Sequence, residues 1–338
     1  MDERKLYILG AILRSYIESA EPIGSRTLQR DFEMKVSPAT IRNEMSDLEH
    51  LGFLMKAHTS SGRIPSRQAY RWYVDELLSR GVAEQSVPAL FDTSLLHHSN
   101  ELEKVIEGAL RMLSDSTNYI AVAMIPGRRE DVLRRIELMP LSEHELVIVY
   151  VYDTKMVQTD LVHLQEAYSK ERIARASEIL QTILGNRMLS EVEELLQSGL
   201  LSADSAKGNV FSEIIPTVRK QIESGLETHL QFEGLSKLFC MPEYGGGEAA
   251  QQMLESLVRG ADFRTLMEQP TRTMEIFIGD ESGVDCLGNS TLICAPYTVR
   301  GNLRGKIGIL GPTRMEYQKV IADVALMGRY IDSITSRR

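Results

Sequence analysis

The apolar positions of this 338-residue chain change period several times, and those changes divide it into segments. From Leu6 to Ser19 they fall at Leu6, Leu9, Ile12, Leu13, Tyr16 and Ile17, the spacing of a one-sided helix. Glu21-Pro22 interrupts it, and a second helix restarts near Ser25 with Leu28 and Phe32 facing inward. Ser37-Pro38 then marks a helix start, because Ser is a good N-cap and Pro loses nothing at N1. Ile41, Met45 and Leu48 follow on one face, and Gly52 stops the run. Phe53 to Met55 and Arg63-Ile64 read as two short strands around the turn signal Ser60-Ser61-Gly62. Three helices and a hairpin are the layout of a winged helix. A further amphipathic helix spans Ser66 to Ser79, and 81–94 reads as a linker.

Beyond it the period alternates between helix and strand. A helix is expected over 95–114 and strands at 118–125, 132–141, 145–152 and 156–164, a meander that favours antiparallel pairing. Helical spacing follows at 173–184, 189–196, 211–239 and 248–267. Strands return at 273–278, 290–297 and 305–310 before a last helix, 314–334. The expected organisation is therefore α+β and multidomain. An N-terminal winged helix-turn-helix (1–80) leads through the linker to an α+β domain in two pieces (95–168 and 270–338). A mainly helical insertion (169–269) interrupts that domain.

Charge sharpens the reading of the first segment. The net charge is −9, which by itself argues against nucleic acid. Residues 1–80, however, hold 12 Lys and Arg against 11 Asp and Glu, and the remainder 26 against 36. Met55 to Arg71 carries Lys56, Arg63, Arg67 and Arg71 and no acid. A locally basic strip on an acidic protein is suited to DNA with little indiscriminate binding. With Ile41 at the centre of the buried face, Ala39, Asn43, Ser46 and His50 lie opposite, flanked by Thr40, Arg42 and Asp47. Arg42 has the geometry to read guanine and Asn43 adenine. Ser37, Thr40 and the free N–H groups of the first turn suit phosphate. Lys56, His58 and Arg63 suit the backbone or minor groove.

Other candidate chemistry is weaker. Gly245-Gly246-Gly247-Glu248-Ala249-Ala250 fits GxGxxA, but Pro242 spoils the strand that a dinucleotide site needs, so it reads as a flexible loop before a helix. Gly279-Asp280-Glu281-Ser282-Gly283 gathers carboxylates after a strand and reads as a solvated turn. The seven histidines show no metal-ligand spacing. Cys240, Cys286 and Cys294 form neither a CxxC pair nor an even set, so silent buried thiols in a reducing cytoplasm are expected. Neither a signal peptide, nor a membrane-spanning run, nor an enzymatic constellation is read. The competing classes are a ligand-binding enzyme built on the acidic α+β part and a protein-interaction adaptor using a winged helix.

One resemblance is specific. The stretch SPATIRNEMSDLEHLGFLMKAHTSSGRIPSRQAYRWYVDELL resembles the N-terminal half of the HrcA family of bacterial heat-inducible transcription repressors. EPIGSRTL (21–28), LSKLFCMPEY (235–244), IGDESG (278–283) and GKIGILGPTRMEYQKVI (305–321) resemble further family segments, so the likeness covers nearly the whole chain. It implies that the α+β part is GAF-like and that the insertion dimerises. It also implies a homodimer on an inverted-repeat (CIRCE-type) operator of chaperonin and DnaK-type genes, kept active by the GroEL chaperonin, with no cofactor. A ligand-responsive regulator sensing a small molecule through the GAF-like domain is the alternative. Carried over onto matching positions are Ser37, Thr40, Arg42, Asn43, His58, Ser60, Gly62 and Arg63. Lys56-Ala57 departs from the family's usual Gln-Pro.

Overall fold

The computed structural model describes residues 2–32, 36–57, 62–84, 102–154, 156–199, 210–245, 247–259, 261–299 and 303–335. Helix and sheet are mixed throughout. Helix α1 (Glu3–Ser19) is capped by Asp2, whose carboxylate accepts from the Lys5 N–H at 2.8 Å. It ends at Ala20, which sits in the left-handed region. Helices α2 (Ser25–Asp31) and α3 (Pro38–His50) follow, then a hairpin of β1 (Leu54–Lys56) and β2 (Arg63–Pro65), then α4 (Arg67–Ser79). After α5 (Leu102–Thr117) comes β3 (Ile120–Ile125).

The next strands, β4 (Val132–Pro140), β5 (Glu145–Tyr152) and β6 (Val157–His163), form the last three strands of the expected four-stranded antiparallel meander. Helix α6 (Lys170–Leu184), the two-residue β7 (Arg187–Met188), α7 (Leu189–Gln197) and α8 (Val210–Leu226) complete that region. The chain then gives β8 (His229–Glu233), short 3-10 turns at 235–240 and 242–244, α9 (Glu248–Arg259), α10 (Ala261–Glu268), β9 (Glu275–Ile278), β10 (Ser290–Val299), β11 (Leu303–Pro312) and α11 (Tyr317–Thr335).

Two compact units result: Met1–Ile125 with Leu230–Arg338, and Pro126–His229. This moves the expected insertion from 169–269 to 126–229. The reason is strand pairing. Strands β4 to β6 pair among themselves and with β7 in a four-stranded sheet, order β6-β5-β4-β7. Strand β3 instead joins a five-stranded sheet, order β8-β3-β11-β10-β9. The helix expected over 211–239 is also corrected. It stops at Leu226, the chain straightens into β8, and Gly234 turns it at φ 76°.

In the larger unit the five-stranded sheet is covered on both faces. Ala121, Ala123, Ile293, Tyr297, Ile307 and Ile309 face one core with α5 and α11, and Val122, Leu292, Cys294 and Leu310 face the other with α9 and α10. The first of these cores continues through Val82 and Tyr70 into Ile8, Leu13, Ile41 and Leu48. Residues 1–80 therefore share a core with the sheet. The linker expected at 81–94 begins with a short 3-10 turn at Val82–Glu84, and 85–94 lie outside the described residues. In the smaller unit Ile148, Tyr150 and Tyr152 point from the sheet into a core with Ile173, Leu180, Val192 and Val218.

Candidate nucleic-acid interface

Helix α3 is locally well determined. The Ser37 hydroxyl accepts from the Thr40 N–H at 3.1 Å and lies 3.0 Å from the Thr40 hydroxyl, with Pro38 in the first turn. Such a cap is worth about 1 kcal/mol. Ile41, Met45 and Leu48 are buried. Truncating a side chain buried like Leu48 typically costs about 2–5 kcal/mol. Lys5 of α1 pairs with Glu44 at 2.9 Å, which holds the helix from behind. The opposite face is as the spacing predicts: Ala39, Arg42 and Asn43 are exposed, Thr40 and Ser46 half-buried. The side chains of Arg42 and Asn43 enter no hydrogen bond or ion pair among the described residues. No acid occupies the first turn of α3 to offset the positive end of its dipole.

The hairpin is held from three sides. Its register pairs Leu54 with Pro65, Met55 with Ile64 and Lys56 with Arg63. Ile23 bridges the other edge of β2, exchanging two 2.9 Å hydrogen bonds with Arg63. Leu51 and Gly52 close α3, Gly52 at φ 83°. The Ser66 hydroxyl then donates to the Gly52 carbonyl at 2.6 Å and also caps α4. The end of α3, the hairpin and the start of α4 are thus one hydrogen-bonded piece.

The expected contact residues separate into three groups. Ser37, Ala39, Thr40, Arg42, Asn43 and Ser46 come together on the first turns of α3, though the Ser37 hydroxyl is occupied as the cap. Lys56 lies at the other end of the helix, 70% exposed and 3.5 Å from Glu49 in its last turn. Gly62 and Arg63 have partners within the protein. Gly62 is buried against Pro22, and Arg63 is paired with Glu49 at 2.7 Å with its side chain only 18% exposed. His58 and Ser60 lie outside the described residues.

The basic strip of the sequence is dispersed in space. Arg67 donates to the Asp280 carboxylate, and Arg71 donates to Glu281, its Nε to Oε1 at 3.0 Å. The acidic turn read as solvated is therefore the partner of α4. Burial pushes the Glu281 carboxyl up, but the Arg71 hydrogen bond, the Ile278 N–H and the Arg71 charge outweigh it, leaving the group below the usual glutamate value. No sequence signal links these residues, because the pairs span 213 and 210 positions.

The remaining candidates resolve simply. Short 3-10 turns, not a strand, precede the glycines at 245–247, as Pro242 indicated. Among the described residues no cluster of three or more His, Cys, Asp or Glu is placed to hold a metal, and no helix is long and apolar enough to cross a membrane. Cys294 is buried, and burial pushes its thiol up to about 12. Cys240 is exposed, against expectation, because it ends a surface 3-10 turn.

Fold and site define a two-unit α+β protein that presents a capped, outward-facing helix beside a short hairpin. Residues 103–321 match the family described as the HrcA protein C terminal domain. The chain is 31% identical to a heat-inducible transcription repressor HrcA from Lachnoclostridium phytofermentans, covering 99% of this chain and 97% of that protein. It is 33% identical to one from Halalkalibacterium halodurans, covering 96% and 94%. The chain belongs to the HrcA family. A crystal structure described only as a hypothetical protein shares the fold, with a TM-score of 0.74 at 22% identity over 100% of this chain and 99% of that one.

Proposed function

We propose that this protein is a heat-inducible transcription repressor whose first 80 residues act as a winged helix-turn-helix, with α3 as the recognition helix. The observation that carries this is the outward face of α3, where Arg42 and Asn43 stand exposed on a helix capped at Ser37 and packed from behind. Side chains on the first turns of such a helix reach base edges in the major groove. Lys56, with His58 and Ser60 from the sequence between the two strands, would follow the backbone.

The finer reading is a GAF-like sheet domain and a homodimer formed through the inserted unit. The dimer reads an inverted-repeat (CIRCE-type) operator of chaperonin and DnaK-type genes, with GroEL keeping the repressor active. The four-stranded sheet supports dimerisation. Its helices cover one face, and the other aligns Met139, Val147 and Leu161 across three strands, with Val151 beside Val157. Met139, Val157 and Leu161 are each more than half exposed, an apolar stripe suited to a second copy. Against the small-molecule-sensing alternative, one face of the five-stranded sheet is filled by Met253, Leu257, Phe263 and Leu266.

A gel shift with an inverted-repeat duplex and a scrambled control, with and without chaperonin, tests the proposal. Preferential retention of the inverted repeat, strengthened by chaperonin, is expected. Equal retention of both duplexes overturns the DNA reading. A shift indifferent to chaperonin overturns only the GroEL part.

A further inference from the structure

The acidic turn and the two arginines of α4 have no part in the DNA contact described above, yet they form a dense polar array. Arg67 and Arg71 stand one helical turn apart. Arg67 donates to Asp280 and, at 3.2 Å, to the Gly288 carbonyl. Arg71 donates to both oxygens of Glu281 and, at 2.7 Å, to the Ile276 carbonyl. Glu281 also accepts from the Ile278 N–H at 2.9 Å, so the turn itself holds the carboxylate in place.

The same helix makes an apolar contact beside these pairs. Tyr70 and Tyr73 rest on Tyr317 of α11, with ring centroids 5.9 Å and 6.4 Å away. Contacts between rings tolerate rotation and sliding. The forked Arg71–Glu281 pair does not, because its two parallel hydrogen bonds fix direction, and Arg67 is fixed by two different acceptors, Asp280 and the Gly288 carbonyl. The rings hold α4 against the sheet domain, and the arginines set its angle. Because Ser66 ties α4 to Gly52, that angle is also the angle of α3.

We propose that Arg67–Asp280 and Arg71–Glu281 form an orientation latch, four positioning residues that fix how the recognition helix is presented without touching DNA. This rests on the reading of the protein as a DNA-binding dimer. A dimer gains from its second half-site only when the two helices are offered at the right separation, and rotational freedom lowers the effective concentration of the second contact. Binding to a single half-site does not sense that freedom. The latch therefore acts on two-site binding alone.

The test uses the full-length chain and two duplexes, one with the inverted repeat and one with a single half-site scrambled. Asp280→Lys and Arg67→Glu alter side chains that are 69% and 52% exposed, so the fold tolerates them. Each single variant is expected to lose tenfold or more in affinity for the two-site duplex and to stay within twofold of the unaltered chain on the one-site duplex. The double variant, with the charges exchanged, is expected to regain most of the loss. Arg71→Glu with Glu281→Arg repeats the exchange at the second pair. Unchanged two-site binding by the single variants overturns the latch. Equal loss on both duplexes also overturns it and makes the arginines direct contacts. Failure of both exchanges to restore binding does the same. An unaltered chain that does not prefer the inverted repeat to a scrambled duplex overturns the DNA reading, and the latch with it.

Discussion

The guanidinium of Arg63 meets the carboxylate of Glu49 at 2.7 Å, joining the returning strand of the hairpin to the last turn of α3. Both side chains are mostly shielded, at 18% and 23% exposure, so the pair is screened less than a surface ion pair. Arg63→Ala is expected to lower stability by about 1.5–3 kcal/mol, the range for hydrogen bonds to charged groups. Urea titration followed by circular dichroism measures this. The salt dependence of DNA binding should stay as it is, because the guanidinium already has a partner. A shallower slope would make Arg63 a phosphate contact instead.

Gly62→Ala tests the packing beneath the hairpin. The added methyl would lie 2.8 Å from the Pro22 side chain and 2.9 Å from its backbone carbon. Backbone yields less readily than a flexible side chain, so a loss of about 1–3 kcal/mol is expected. An unchanged melting temperature would show that the loop at Pro22 moves freely.

Arg42 and Lys56 should fail in different ways. Arg42→Ala is expected to cost about 1–3 kcal/mol on the inverted repeat and to relax base preference at one position per half-site. Lys56→Ala should weaken binding to all sequences alike and flatten the salt slope by about one phosphate. Anisotropy titrations over a salt series, on cognate and scrambled duplexes, separate the two. Arg42→Ala binding both duplexes with the affinities of the unaltered chain would remove it from base readout.

Glu281 makes stability depend on acid. Its folded-state pKa lies below the ordinary 4.5, so the carboxylate contributes stability that is fully present above that value. The contribution fades as pH falls through 4.5 and below. Urea melts of the unaltered chain and Glu281→Gln should therefore differ at neutral pH and converge in acid. A difference that stays constant with pH would mean that the Arg71 pair does not govern this carboxyl.

What was legible in the sequence was local. Ser37, Pro38 and the spacing of Ile41, Met45 and Leu48 lie within one short segment, so the start, face and end of α3 follow from neighbours alone. The meander of β4 to β6 was likewise visible. The sheet that β3 joins was not, because pairing Met124 with Lys306 leaves no mark on either segment. Strand β8 was hidden inside an expected helix, although Leu230 and Phe232 alternate with polar residues. Arg63 read as a contact to the backbone or minor groove, and its pairing with Glu49, 14 residues away on another element, left no mark in the sequence. The polar partner of Arg67 and Arg71 lay farther still.

Strands β3 and β8 are neighbours in the five-stranded sheet. Gly127, just past β3, lies against the backbone of Leu226 and Glu227, while Gly234, just past β8, lies against Tyr119. The two strands therefore run in opposite directions, and the chain returns beside the point at which it departed. Topologically, everything from 126 to 229 occupies the position of a hairpin turn. A lineage acquiring or losing that segment would have had to break no strand pairing and reroute no chain. In the five-stranded sheet, a whole compact unit stands where a turn between two antiparallel strands would stand.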